Sequence, residues 1–499
     1  MNSKNRSKSA FLNMIFNLTY QIVNTVVNII LPPLIISKFG SIINGLISTI
    51  KQILGYVQLV GSGISESTVV SLYKPLAKND EKKISAIFNA CSETFFKMGI
   101  LFSVGAVIIA LVYPFFIKED INYFFLVMLI MVLSVAGASE FFVIGKCRSL
   151  LIADQKIYIV NIAQIFGAIA NLVITILLIR MDANIVIVQL GSSLMYVARL
   201  IIVYSYVKKN YTFLNNKISP DYSAISKRKA ATVHQLSGLI SFGSQTIVVS
   251  MFCGLAEASI YSVYNLVFTG INTILSTVSS ALLATFGDII ANEDEEKLNS
   301  LFSTYETVYY ILVFLLYTIT YILFLSFVDL YTAGADINYH RTEYAFLFCL
   351  MGIVNCLRTP GATLINAIGH YHETQNRALI EMSICFILEL LLVNFIGASG
   401  VLIATITAYL YRTSDVVYYS NHIILKKNIK QSIFKIFINL IICIFLVLLF
   451  QFVSITATNY LLWMKYAVII GVFSTFVFLT VHFLFQRNEF VRIRGMIKK

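Results

Sequence analysis

Charge is scarce in this sequence. Only 12% of its 499 residues are Asp, Glu, Lys or Arg, while 58% are hydrophobic. A soluble domain carries roughly 25% charged residues. Half of that supply cannot clothe a water-facing surface, so most of the surface must face lipid. Paired cysteines are missing too: Cys91, Cys147, Cys253, Cys349, Cys356, Cys385 and Cys443 are scattered, nearly all in apolar runs, with no C-x-x-C. That pattern fits small apolar packers and not a disulfide framework or a metal knuckle. No G-x-x-x-x-G-K-[ST] loop, G-x-S-x-G elbow or H-E-x-x-H helix occurs, which removes the usual sequence grounds for ATP hydrolysis, esterase or zinc-protease chemistry. His370-x-His372-Glu373 has clip-like spacing, but it falls in a loop without further ligands and reads as solvated. No stretch is long enough to house a soluble catalytic domain. The reading is therefore of a non-enzyme that needs no cofactor. The formal charge of +12 suggests nucleic acid at first sight. The basic residues sit mainly in short loops between apolar runs, however, which is a topology signal.

What is present is a succession of apolar stretches. A hydrocarbon core about 30 Å thick needs about 20 apolar residues per helical crossing. Barrel strands alternate polar and apolar residues; continuous runs such as 436–452 do not. The expected crossings are 11–37, 42–72, 84–113, 121–145, 157–179, 185–207, 233–254, 259–291, 298–328, 344–367, 378–395, 400–419, 433–453 and 462–485. The N-terminus is basic (Lys4, Arg6, Lys8) and runs into the first crossing without a small-residue cleavage site, so it reads as a retained helix. With that end in the cytoplasm, the even-numbered connections should hold the Lys and Arg excess. They hold Lys74, Lys78, Lys82, Lys83, Lys146, Arg148, Lys156, Lys208, Lys209, Lys217, Lys227, Arg228, Lys229, Lys426, Lys427, Lys430 and Lys435, and the tail adds more. The opposite loops hold only Lys38, Lys118, Arg180, Arg341 and Lys465. Both termini are expected in the cytoplasm.

A shift of 214 residues superimposes the two halves. Ser48, Lys51, Gln58, Ser62 and Ser65 fall on Ser262, Asn265, Asn272, Ser276 and Ser279, and Asp80-Glu81-Lys82-Lys83 falls on Asp294-Glu295-Glu296-Lys297. With a one-residue slip, Arg199 falls on Arg412. Such a period points to a duplicated unit. The fold class is all-α: about fourteen transmembrane helices in two pseudo-symmetric six-helix bundles plus two C-terminal helices. The expected divisions are 1–207 for the first bundle, 208–232 for a cytoplasmic linker, 233–425 for the second bundle and 426–499 for the appended helices and basic tail. An even number of crossings in each copy gives parallel repeats.

Polar residues within the spans are the functional signal. Asn13, Asn17, Gln21, Asn24 and Asn28 recur at spacings of four, four, three and four, which line one face of a helix. Five amides on a lipid-facing stripe are costly, so that face should look into protein or water. Asn44, Ser48, Lys51, Gly55, Gln58, Ser62 and Ser65 form a second stripe, which the eighth crossing repeats with Ser262, Asn265, Thr269, Asn272, Ser276 and Ser279. Interhelical hydrogen-bond glue would explain either stripe alone; matched stripes fit a hydrated central cavity better. Pro32-Pro33 predicts a kink or break late in the first crossing. Ionisable residues inside a bilayer are expensive unless paired or hydrated. The basic ones are Lys51, Lys97, Arg199, Arg358 and Arg412; the acidic ones include Glu66, Glu93, Glu140, Glu306, Glu381, Glu389 and Asp415. Glu93 and Lys97, four apart, read as a local ion pair, and Arg412 with Asp415 as a further pair. Lys51, Arg199 and Arg412 lack a full set of local partners and mark an anion site, with the amides Asn17, Gln21, Asn24, Asn28, Gln58, Asn265 and Asn272 beside them. A phosphate group suits such a site, since Arg offers it a two-pronged donor. Glu381, Glu389 and Asp415 are the candidates for taking a coupling proton or cation.

These features resemble the multidrug/oligosaccharidyl-lipid/polysaccharide exporter superfamily, and within it the polysaccharide transporter branch of Wzx-type flippases. The local likeness lies in Leu34-Ile35-Ile36-Ser37-Lys38-Phe39-Gly40, Gly61-Ser62-Gly63-Ile64, Tyr73-Lys74-Pro75-Leu76-Ala77-Lys78-Asn79-Asp80 and Leu364-Ile365-Asn366-Ala367-Ile368-Gly369-His370. The resemblance implies transfer of an undecaprenyl-diphosphate-linked oligosaccharide to the outer leaflet by alternating access, for O-antigen, capsule or teichoic acid. It also implies polymerase and chain-length partners in the membrane, and no nucleic acid. Two other readings stay open: a cation-coupled multidrug exporter, which would lean on Glu381, Glu389 and Asp415, and a membrane-embedded glycosyltransferase or polymerase.

Overall fold

The computed structural model describes residues 3–58, 62–224, 243–291, 294–452 and 457–485. Gly61, most of the linker's second half, the first part of the seventh crossing and the basic tail lie outside these residues, as does the side chain of His372. Every regular element among them is helical. In chain order the α-helices are α1 (Ser3–Phe39), α2 (Ser41–Gln58), α3 (Ser62–Lys78), α4 (Glu81–Val112), α5 (Tyr123–Ser139), α6 (Gly145–Ala153), α7 (Tyr158–Arg180) and α8 (Ile185–Asn210). They continue as α9 (Gly243–Cys253), α10 (Leu255–Ala291), α11 (Glu295–Tyr331), α12 (Thr342–Leu357), α13 (Thr359–Ile368), α14 (Tyr371–Tyr418), α15 (Lys430–Gln451) and α16 (Tyr460–Phe485). Among the described residues, 11 helical stretches are long and apolar enough to cross a membrane. The longest, Glu373–Ile424, covers 52 residues and counts as two crossings. Its backbone leaves the helical region at Ile396 and Gly397, between the eleventh and twelfth expected spans. The second expected span appears as α2 and α3 on either side of residues 59–61. Of the seventh, α9 is the described part. The chain is a multi-pass membrane protein.

Sequence logic is visible at the helix starts. Asp80 and Asp294, matched by the repeat, are both N-caps. Each side chain accepts a hydrogen bond from a backbone N–H three residues on, Lys83 at 3.1 Å and Lys297 at 2.9 Å. An Asp cap satisfies an amide that the helix leaves orphaned. No break falls at the prolines: α1 continues as a helix through Pro32 and Pro33.

The chain divides into two compact units, residues 1–236 with 254–259, and 237–253 with 260–499. In the first, α1 packs on α7, α7 on α8 and α5 on α8. Its apolar core includes Leu46, Ile50, Phe102, Leu129 and Val188. This unit takes in the first turn of α10, where the Ser259 hydroxyl accepts from the Asn44 side-chain amide at 2.7 Å. The expected linker does not simply hang free. Residues 208–210 complete α8, and the chain then folds back on α4: Asn89 donates to the carbonyls of Asn215 and Ile218, and the Asp221 amide to the Ala86 carbonyl. Tyr222 reaches Glu93 and lies under the Lys97 ammonium, so the expected Glu93–Lys97 pair gives way to two contacts with one distant tyrosine. On the loop before α8, Lys38 pairs with Asp182 and holds its carboxyl below the usual carboxylate range.

In the second unit α11 is the hub, packed by α12, α15 and α16. Its core is aromatic, with Tyr261, Tyr264, Tyr309, Tyr310, Tyr317, Phe314 and Phe348 all buried.

Candidate functional site

The amide stripe of α1 separates into two roles. Asn13 is glue: it donates to the Gln155 carbonyl at 2.9 Å and accepts from the Tyr158 amide at 3.0 Å, so it ties α1 to the start of α7. Asn17 and Asn28 are exposed, Gln21 and Asn24 half-buried. Among the described residues none of these four makes a hydrogen bond, so interhelical glue does not account for them. On α2, Lys51 is exposed and has no ion-pair partner among the described residues, while Gln58 is half-buried with its amide against Gly137. The stripe of α10 is mixed. Asn272 accepts from Asn355 at 3.3 Å and from the Cys356 thiol at 3.1 Å; Asn265 is half-buried. Thr269, Thr273, Ser276, Thr277 and Ser280 are exposed, and each hydroxyl donates to a carbonyl of its own helix. Unbonded amides on the outside of a bilayer-spanning helix call for water or a polar ligand, whereas these hydroxyls have their protons satisfied within the helix.

In unit 1, Arg199 on α8 is the central cation. Its guanidinium lies 3.7 Å from the centroid of the Tyr196 ring. The side chain runs across the bare backbone of Gly167 on α7, and its Nε is buried without a hydrogen-bond partner. Glu140, Arg148 and Tyr20 of α1 stand close enough to interact with this group or with one another electrostatically. Arg148 Nη1 is 3.7 Å from Glu140 Oε1. Two arginines therefore stand near one carboxylate, and among the described residues Arg148 alone comes within ion-pair distance of it. Glu140 opens a π-helical stretch, Glu140–Ile144, where the backbone widens by one residue; such bulges recur at functional sites.

Unit 2 gathers its charges more tightly. Arg412, expected to lack partners, lies 2.9 Å from Asp415 and 3.7 Å from Glu381. Glu381 also accepts from Arg358 Nη1 at 2.5 Å, and Asp415 from Arg377 Nη1 at 2.5 Å. Arg358 donates in addition to Asn355 and faces the Tyr409 ring, and Arg377 faces Tyr419. Among the described residues, three arginines thus share two carboxylates through direct ion pairs. Arg358 stands at the junction of α12 and α13, just before Thr359-Pro360. The 214-residue shift places it on Ile144, the end of the π-helical stretch in unit 1. The duplicated halves therefore interrupt the same crossing at the same level, once by widening and once by a break.

Glu389 is a separate case. It is fully buried, and its carboxylate accepts from Ser244 at 2.7 Å, Thr405 at 3.3 Å and the Cys385 thiol at 3.0 Å. Gln245 joins through Thr405 and Cys385. No basic side chain among the described residues pairs with it. Sequence reasoning found Glu389 but not this cage, because Ser244, Gln245 and Thr405 are ordinary polar residues on other helices. It likewise singled out Arg358 without a partner, and placed Arg377 in no role at all. His370, of the clip-like motif, contacts the Tyr419 hydroxyl at 3.1 Å.

No protein-family model matches the chain, and no curated protein matches it in sequence. Solved structures do. The inward-facing conformation of a multidrug resistance MATE family transporter of the MOP superfamily superposes with a TM-score of 0.64 at 12% identity, over 87% of this chain and 96% of that one. The lipid II flippase MurJ in an inward closed conformation gives 0.65 at 14% identity, over 94% of this chain and 99% of that one. A MATE structure in complex with MaL6 gives 0.56 at 12% identity, over 84% and 96%. The chain has the polytopic fold shared by these transporters and flippases.

Proposed function

We propose that this protein carries a lipid-linked, phosphate-bearing oligosaccharide across the bacterial cytoplasmic membrane, as a Wzx-type flippase for surface polysaccharide. One observation carries the reading: among the described residues each unit sets a charge cluster among its spans in which arginines outnumber the carboxylates beside them, and in the first Arg199 keeps a buried Nε without a hydrogen-bond partner. A lone buried cation is costly unless an anion or water completes it. A diphosphate is such an anion, and it suits guanidinium geometry. The unbonded amides Asn17, Gln21, Asn24 and Asn28 and the exposed hydroxyls of α10 suit the sugar hydroxyls. Lys51, Gln58, Asn265 and Asn272 belong to the same polar set, with Asn272 the most committed to its own helix partners.

Within this reading the anion-receiving cation is Arg199 more than Arg412, whose charge two carboxylates already meet. By the same logic the coupling group is Glu389 and not Glu381 or Asp415. The latter two are paired with arginines, whereas among the described residues Glu389 is met by neutral donors alone and so has no cation of the protein to give up. A cage of that kind also serves the second reading, a cation-coupled multidrug exporter, and Glu389 is the observation in its favour. The two part on substrate.

The test is reconstitution of the purified chain into liposomes that hold a fluorescent undecaprenyl-diphosphate oligosaccharide. Wild type is expected to move the lipid between leaflets, and Arg199→Gln to slow it about tenfold, which corresponds to about 1.4 kcal/mol. No flipping by the wild type, together with efflux of an organic cation dye, would replace the flippase by the drug exporter.

A further inference from the structure

The two appended helices meet the second unit through buried charge. Lys435 of α15, read from the sequence as a basic residue near a cytoplasmic loop, is 6% exposed. Its ammonium donates all three protons: to Glu306 Oε2 at 2.9 Å, to the Ser303 carbonyl at 2.9 Å and to the Ser303 hydroxyl at 3.1 Å. Glu306, on α11, is 3% exposed. Its other oxygen lies 3.4 Å from the Tyr310 hydroxyl, which is also 3.1 Å from the carbonyl of Leu357. Leu357 is the last residue of α12, directly before Arg358. Below Lys435 the seam continues, with Asn439 donating to the Lys435 carbonyl and contacting the buried His482 of α16.

A hydroxyl has one proton, and Tyr310 stands between two acceptors. Which acceptor receives it depends on Lys435. With the ammonium in place, Glu306 is satisfied, and the Tyr310 proton is free to brace the carbonyl at the helix junction. Without it, a bare buried carboxylate outcompetes a neutral carbonyl for that proton. The brace is then lost one residue from the arginine that anchors Glu381. The first unit has no counterpart to this arrangement. The 214-residue shift puts Glu306 on Ser92 and Tyr310 on Phe96, and Ser92 receives a lysine from its own bundle, Lys146 at 3.0 Å.

We infer that Lys435 is a positioning residue: by neutralising Glu306 it holds the Tyr310 proton on the Leu357 carbonyl, so the α15–α16 pair sets the geometry of the Arg358–Glu381–Arg412 cluster. The consequence for transport rests on the function proposed above; the consequence for the helix junction does not.

The experiment reads both on the full-length protein, with hydrogen exchange of residues 354–362 as the local measure and lipid flipping as the functional one. Lys435→Met is expected to raise exchange in that segment about tenfold. Tyr310→Phe, which leaves the ion pair intact, should do the same. Lys435→Met combined with Glu306→Leu removes both charges and should return exchange to within about twofold of wild type, and Lys435→Arg should also be near wild type. Equal exchange in Tyr310→Phe and wild type, or a double variant as perturbed as the single one, overturns the proposal. Altered exchange without any flipping activity in wild type would leave the positioning role standing and remove only the flippase reading.

Discussion

In unit 1, Arg199 spends its guanidinium on the face of a tyrosine and leaves Nε without a partner, whereas at the matching place in unit 2 Arg412 lies beside two carboxylates. The two positions match under a 213-residue shift, and each sets a cation among membrane spans, half-buried at Arg199 and buried at Arg412. They solve the cost differently. A cation held by a π face keeps most of its donors for a ligand. A cation held by carboxylates in a network whose every member has a second partner is part of the scaffold. The surrounding carboxylates therefore distinguish the two matched arginines. Unit 2, with its aromatic core and the added α15–α16 pair, reads as the rigid partner, and unit 1 as the receptive one.

The sharpest way to break this contrast is to remove one carboxylate from each cluster. Glu381→Gln leaves three arginines with Asp415 alone and takes the strongest partner from Arg358. Its loss is expected to cost about 3–5 kcal/mol, read as a large fall in the thermal midpoint of the purified protein. Glu140→Gln touches a half-exposed carboxylate 3.7 Å from Arg148 and should stay within about 1 kcal/mol. Equal losses would mean that both clusters are scaffold.

Two glycines probe the same difference through volume. A Cβ at Gly352 would strike the ring and hydroxyl of the buried Tyr317, while the nearest atoms to one at Gly167 are the stem and Nε of the flexible Arg199 side chain. Gly352→Ala should destabilise by about 1–3 kcal/mol, because a packed ring has nowhere to go. Gly167→Ala should leave the midpoint nearly unchanged yet slow flipping, since the arginine bends away from Tyr196. A variant that is stable and fully active would show that the seat of Arg199 does not matter.

Next in size is the pair of arginines themselves. Arg199→Gln strands no carboxylate that depends on it alone, so flipping should fall about tenfold, about 1.4 kcal/mol, at unchanged protein abundance. Arg412→Gln leaves Arg358 with Glu381 and Arg377 with Asp415, and its effect on flipping should follow its effect on stability. If flipping drops in the second variant while the midpoint does not, Arg412 too is receptive.

The smallest effect is a control on the symmetry. Asp80→Ala and Asp294→Ala remove equivalent caps from α4 and α11 and should each cost about 1 kcal/mol. A difference greater than that between them would locate the asymmetry in the backbone and not in the charges.

Particular residues show how far sequence reasoning reached. The match of Asp80 to Asp294 was legible along the chain, and the structure adds that both are caps, a local event decided within four residues. Arg412 with Asp415 was legible for the same reason, at a spacing of three. Glu381 as the second partner of Arg412 was not, since it is 31 positions away and only the packing of α12, α13 and the two halves of α14 brings it near. The Glu93–Lys97 pair was a fair local inference that failed because Tyr222, from the folded-back chain after α8, offers both groups a contact. Lys435 was misread because a lysine near the end of an apolar run looks the same whether it reaches water or a buried glutamate.

What the amino-acid order determined by itself is the medium and the architecture: which segments cross a bilayer, how often, and that the crossings repeat. These follow from hydrophobicity summed over about 20 residues and from helical periodicity, and both are properties of neighbours along the chain. What only the tertiary structure decided is which buried charge is spent and which is left over. Coulomb interactions and hydrogen bonds act over a few ångströms in space, whatever the distance in sequence. The excess of Arg199, the neutral cage of Glu389 and the Lys435–Glu306 brace exist only where helices from remote parts of the chain come together.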